Sequence, residues 1–187
     1  MKKNKSRYNW DETFMNMAIV LTKRVPCVVV KTASIFVDDK KRVISLGYNG
    51  SVRGDYNGTE VGCAKIDGNP ATGKIERCRG IHAEINGIIN SMNTERLEGS
   101  TLYTIKYPCY DCMKALVAVG VKEIVYYEKY LRTQTGGEAF EEETEAEDLA
   151  ERIGVKVRKY EGRICCEPEE SRDSHLHKKN KDNKKAT

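Results

Sequence analysis

The chain has 187 residues, of which 39% are hydrophobic and 32% charged. That length fits one domain with a core of its own. It holds no run of eighteen apolar residues, so no membrane-crossing helix is expected, and residues 1–9 lack the apolar segment of an export signal, so a cytoplasmic location is expected. The formal charge of +4 is unevenly spread. Lys2, Lys3, Lys5 and Arg7 put +4 on the first nine residues, and six Lys or Arg against two Asp put another +4 on the stretch from Ser171 onward, which leaves the body between them near −4. An acidic body argues against a nucleic-acid groove, so nucleic acid is not an expected partner. Residues 1–9 and 164–187 read as disordered polar ends of one domain over 10–163. Seven cysteines with no export signal point to metal or thiol chemistry rather than to a disulfide framework.

The elements follow in chain order. Asn9 and Glu12 form a capping-box pair, and Phe14, Met17, Ala18 and Leu21 share one face of a helix over Trp10–Lys23. Pro26 ends it. Cys27–Val37 is rich in β-branched residues and reads as a strand, followed by a polar turn at Asp38–Lys41 and a second strand over Arg42–Leu46. Gly47–Arg79 is a long Gly-, Asn- and Asp-rich loop, of a length that calls for a functional role or a tether. Ile81–Met92 is a helix, Thr101–Lys106 a strand, Cys109–Val119 a helix and Glu123–Tyr127 a strand. Ala146, Leu149, Ala150 and Ile153 mark a further helix, stopped by Gly154, and Val155–Tyr160 is the last strand. From the third strand on, each strand is followed by a helix, so those strands should run parallel. The expected architecture is a three-layer α/β/α domain with a five-stranded mixed sheet whose last strands are parallel.

Two short pieces carry the chemistry. His82-Ala83-Glu84 opens one helix, and Pro108-Cys109-Tyr110-Asp111-Cys112 joins a strand to another. One imidazole and two thiolates suit Zn2+, and three protein ligands leave the fourth position open, as catalytic sites do. Cys109 and Cys112 are three apart at a helix start, where the helix dipole favours the thiolate form. Glu84 is placed to carry a proton beside the metal. A Cys-x-x-Cys alone reads equally as a redox pair or half a structural site. Neither alternative accounts for the upstream His-x-Glu, and no second Cys-x-x-Cys completes a structural set.

Together, these pieces resemble the zinc-dependent nucleobase deaminases. The helix between the last two strands is similar to the branch with a parallel fifth strand. Within that branch Gly47-Tyr48-Asn49-Gly50, His82-Ala83-Glu84-Ile85-Asn86 and the run Gly99–Tyr103 resemble the deoxycytidylate (dCMP) deaminases, over about Trp10–Tyr160. The resemblance implies hydrolysis of dCMP to dUMP and ammonia, supplying dUMP for thymidylate synthesis. It assigns zinc to His82, Cys109 and Cys112, proton transfer to Glu84, and positioning of base and sugar to the Ala83 amide and Asn49. Arg53 is a candidate for the phosphate on charge and loop position. The family further implies a homo-oligomer, a hexamer, activated by dCTP and inhibited by dTTP. Some members hold a second, structural zinc, for which Cys27, Cys63 and Cys78 are the candidates here, and which would tether the long loop. Val52 stands where the family has Pro, and Leu131 and Arg132 follow Tyr130 where it often has an acidic residue. Other readings stay open: a deaminase of dCTP or of a modified cytosine nucleotide, a nucleic-acid editing deaminase, and a non-catalytic zinc protein.

Overall fold

The structure, a computed structural model, describes residues 7–129, 132–133, 139–140 and 142–169. Its elements run α1 (Trp10–Thr22), β1 (Ala33–Val37), β2 (Val43–Tyr48), β3 (Gly50–Ser51), α2 (Gly58–Val61), β4 (Gly80–Ile81), α3 (Ala83–Asn90), a 3-10 turn (Thr94–Leu97), β5 (Thr101–Lys106), α4 (Tyr110–Ala118), β6 (Glu123–Glu128), β7 (Arg132–Thr133), β8 (Ala139–Phe140), α5 (Glu142–Ile153) and β9 (Lys156–Lys159). The main sheet has the order β2-β1-β5-β6-β9. β1 is antiparallel to both neighbours, whereas β5, β6 and β9 are parallel. The mixed five-stranded sheet expected from sequence is therefore present.

Alternation along β1 sorts the core into two layers. Ala33, Ile35 and Val37 pack with Phe14, Met15, Ala18 and Ile19 of α1. Phe36 points to the other face and packs with Met113 and Leu116 of α4 and Ala146 and Leu149 of α5. α3 lies on that second face as well, against β2 and β1. Among the described residues, α1 thus packs on one face of the sheet, and α3, α4 and α5 pack on the other.

Three boundaries differ from the expectation. The first strand starts at Ala33; the residues before it lie outside the sheet, and the Asn49 carboxamide holds Val30 and Thr32 there. Short pieces β3, α2 and β4 punctuate the long loop, and β3 pairs with β4 to bring Gly50 beside Ile81. The docked chain also reaches beyond 10–163 at both ends. Arg163 grips Glu12 through Nε at 2.8 Å and Nη2 at 2.9 Å, and its Nη2 also donates to the Arg7 carbonyl. Past it, the Cys165 amide donates to Asn16 and the Glu169 amide to the Thr22 hydroxyl at 3.1 Å. The sequence pattern misses this strap because it is held by side chain to main chain bonds, which leave no periodic trace. The remaining expectations for residues 1–6 and 170–187, and for Tyr130 and Leu131, lie outside the described residues.

Candidate active site

In an open α/β sheet, ligands bind beyond the carboxyl ends of strands where the order of connections reverses. Here β5 is that place. Its neighbours are β1, from the antiparallel hairpin, and β6, from the parallel half. α4 starts at the carboxyl end of β5, and α3 starts beside it over β1 and β2, so the two helix N-termini meet. His82 is the N-cap of α3 and Cys109 the N-cap of α4, and neither side chain makes a capping bond.

The side chains turn towards each other instead. His82 Nδ1 lies 3.4 Å from Cys109 Sγ and 3.3 Å from Cys112 Sγ. Tetrahedral zinc with the usual Zn–N and Zn–S lengths would set these separations near about 3.6 Å. The three donors are therefore spaced for one ion, and their chemistry is that of a zinc site. Among the described residues they are the one group of His, Cys, Asp or Glu whose ligand atoms lie within 4.8 Å of one another. Cys109 is pulled down to about 4, first by its hydrogen bond with Cys112 and then by His82, while the same bond pushes the Cys112 thiol up. The pair thus readily offers one thiolate, and a cation would draw off the second proton.

Glu84 lies in the first turn of α3 and is only 3% exposed. Its Oε2 is 3.5 Å from Cys112 Sγ, adjoining the ligand triad. Burial pushes its carboxyl above the ordinary range. A buried carboxyl next to a metal-donor set is placed to take and return a proton there. Ala83, between these two residues, is fully buried.

The other predicted residues separate. Asn49 sits in the turn between β2 and β3, with its carboxamide engaged: Oδ1 accepts from the Thr32 amide at 2.9 Å and Nδ2 donates to the Val30 carbonyl at 2.8 Å. Arg53 is exposed just after β3, and the structure brings it to no partner among the described residues. Cys27 precedes β1, Cys63 follows α2 and Cys78 precedes β4, and the three do not gather as the triad does. Cys27 and Cys78 each accept a main-chain N–H, from Val30 at 3.5 Å and Gly80 at 3.3 Å.

Sequence reading misses the residues that hold α3 in place. The Ser34 hydroxyl donates to the Ala83 carbonyl and the Ser45 hydroxyl to the Gly87 carbonyl, both at 2.8 Å. Asn86 and Asn90 donate from α3 to main-chain carbonyls of β2. The available signal was faint: two buried serines on strands, and two asparagines four apart on a helix.

Comparison with known proteins agrees with this geometry. Residues 8–128 match the family described as the cytidine and deoxycytidylate deaminase zinc-binding region. A deoxycytidylate deaminase of Schizosaccharomyces pombe is 30% identical over 158 residues, covering 84% of this chain and 46% of the relative, so the chain spans about half that protein's length. ComE operon protein 2 of Bacillus subtilis is 34% identical over 137 residues, 73% of this chain and 68% of that protein. A deoxycytidylate deaminase of Mycobacterium phage D29 is 32% identical, over 65% of this chain and 96% of the phage protein. Among solved structures, dCMP deaminase from the cyanophage S-TIM5, in complex with dCMP and dUMP, superposes with a TM-score of 0.62 at 25% identity, covering 86% of this chain and 99% of that one. The family model matches well over half of the chain, and the chain therefore belongs to the cytidine and deoxycytidylate deaminase family.

Proposed function

We propose that this chain hydrolyses dCMP to dUMP and ammonia, supplying dUMP for thymidylate synthesis. The observation that carries the reading is Glu84, a buried carboxyl whose Oε2 adjoins the His82, Cys109 and Cys112 donor set. Zinc, when bound by those three side chains, supplies the Lewis acidity that makes a water nucleophilic near neutral pH. Glu84 takes a proton from the attacking water and gives it to ring nitrogen N3. The water oxygen bonds to C4. Glu84 then moves a proton to the departing amino group, the C4–N bond breaks, and ammonia leaves, so one water is consumed for each amine released. Ala83, held by Ser34 through its carbonyl, presents its amide to the base, and the turn at Asn49 borders the sugar. Arg53, on the loop beyond that turn, serves the phosphate.

The same proposal includes a cytoplasmic enzyme, a homo-oligomer of hexamer size, and dCTP and dTTP as effectors. Exposed apolar side chains on two helices, Trp10 and Val20 of α1 and Ile89 of α3, support burial against further copies. No helix among the described residues is long and apolar enough to cross a membrane. A second zinc at Cys27, Cys63 and Cys78 would require the loop to draw those sulfurs together.

The test is ammonia release from dCMP, CMP, dCTP, deoxycytidine and a cytosine-containing oligonucleotide, with and without dCTP or dTTP as effector. The metal-to-chain ratio and sedimentation are measured on the same sample. Turnover selective for dCMP with at least one zinc per chain is the expected result, and a ratio near two would extend it to the second site. Turnover of dCTP or the oligonucleotide without dCMP would overturn the substrate assignment.

A further inference from the structure

α3 carries His82 and Glu84, and the way it is seated on β2 reaches into the turn that follows. A Cβ at Gly47 would lie 2.1 Å from the Ala83 oxygen and 2.3 Å from the Gly87 nitrogen. Only glycine lets strand and helix approach so closely. On either side of Gly47, an asparagine of α3 meets a β2 carbonyl. Asn86 Nδ2 donates to the Tyr48 oxygen at 2.8 Å, and Asn90 Nδ2 to the Leu46 oxygen at 2.9 Å. Four helical residues rise about 6 Å, and two strand residues about 6.4–6.8 Å. Donors at i and i+4 therefore keep step with acceptors two residues apart.

The two bonds are chemically alike but differ in what lies beyond them. Both carbonyls lie on residues paired with β1, Leu46 opposite Ile35 and Tyr48 opposite Ala33, but Leu46 is inside the strand. Tyr48 is the last residue of β2, and its carbonyl belongs to the peptide leading into Asn49. Asn49 is tied on its far side, through its carboxamide to Val30 and Thr32 and through its amide to the Thr32 carbonyl at 3.2 Å. The turn is thus strung between the segment before β1 and the side of α3, where Gly50 pairs with Ile81 and the Asn86 carboxamide holds the Tyr48 carbonyl.

We infer that Asn86 is a positioning residue for substrate binding. Its carboxamide locks the Tyr48–Gly50 turn to α3 at the spacing that a pyrimidine deoxynucleotide requires, while Asn90 only docks the helix. Asn86 acts through the turn and does not itself touch the nucleotide. What the turn binds rests on the deaminase reading above; the anchoring does not.

Asn86→Asp keeps the shape of the side chain but sets a carboxylate oxygen against the Tyr48 carbonyl, and Asn90→Asp makes the same change one turn further on. Asn86→Asp and Asn86→Ala should each raise KM for dCMP about tenfold, leaving kcat within about twofold and zinc content unchanged, whereas Asn90→Asp should leave KM within about twofold. Equal effects at the two asparagines, or a loss that follows zinc content, would overturn the inference. Should Asn86→Asp fail to fold, Asn86→Ala carries the comparison. Should the wild-type chain turn over no nucleotide, the deaminase reading fails, and amide hydrogen exchange at Asn49 and Gly50 decides the anchoring without substrate. Exchange about tenfold faster in Asn86→Ala than in wild type or Asn90→Ala upholds it, and equal exchange sinks it.

Discussion

The N-terminus of α1 and those of α3 and α4 meet the same local problem in opposite ways. Every helix leaves its first N–H groups without intrahelical partners. At α1 a capping box answers part of it: Asn9 Oδ1 accepts the Glu12 amide and Glu12 Oε2 accepts the Asn9 amide, each at 2.8 Å. At α3 and α4 the N-cap residues are His82 and Cys109, whose side chains make no capping bond and meet at 3.4 Å. Each start forgoes a cap worth about 1 kcal/mol. In return, two positive helix ends converge where thiolates must form and negative charge develops during reaction. One start serves the fold, and the other two serve the chemistry.

That division predicts which variants separate activity from stability. The largest effect belongs to the metal ligands. Cys112→Ser should lose zinc and reduce kcat/KM on the order of 10³-fold or more, matching the several kcal/mol a metal Lewis acid supplies. Metal analysis beside steady-state kinetics checks it, and full activity in a zinc-free sample would break the assignment. Next comes Glu84→Gln. It keeps the shape of the side chain and removes the exchangeable acid, so kcat should fall about 10²–10⁴-fold with zinc content unchanged. Loss of zinc together with activity would instead make Glu84 a support for the metal site.

The two kinds of helix start were not equally legible in the sequence. The Asn9–Glu12 box and the two zinc motifs could be read because each uses residues three or fewer apart, so local geometry fixes their relation. The sheet could also be read, because the β-branched run that ends in β1 and the strand–helix–strand rhythm after Thr101 carry the topology. That His82 and Cys109 come within 3.4 Å of each other followed only from the family resemblance, since no local rule spans the intervening residues. The seating of α3 on β2 was invisible for a different reason. Gly47, Gly87 and Asn86 act through main-chain atoms, and the absence of a Cβ or a donor aimed at a carbonyl leaves no hydrophobic period. The strap at Arg163–Glu169 escaped in the same way. Its partners Asn16 and Thr22 sit on α1, far off in sequence and unremarkable in type.

A smaller effect should appear at the structural start, with the opposite signature. Asn9→Ala removes the acceptor for the Glu12 amide and should cost about 1 kcal/mol of stability. For a chain of this size that is a fall of about 2–4 °C in Tm. Activity per folded molecule should not change, because α1 packs on the sheet face opposite α3 and α4. A drop in kcat without a drop in Tm would blur the division drawn between the two kinds of start.

The smallest predicted effect is one of pH, and it tests whether Glu12 works as an ion. Arg163 beside it, together with the Asn9 amide, holds its carboxyl down to about 2, from an ordinary value of 4.5. A depressed carboxyl stabilises the folded chain when ionised in both states, so the contribution is complete above about 4.5 and fades as pH falls towards 2, where the folded form also takes up its proton. The variant Glu12→Gln keeps a hydrogen-bonding side chain but no charge. Its Tm should therefore lie below wild type at pH 6, and the gap should narrow steadily between pH 5 and pH 2. Arg163→Ala should show the same convergence, since it removes the other half of the pair and the cation beside Tyr8. A gap that stays constant with pH would mean that Glu12 holds the chain ends by shape and neutral hydrogen bonding. In that case the strap would be fastened to α1 by the hydrogen bonds of Glu12, Asn16 and Thr22 rather than by an ion pair.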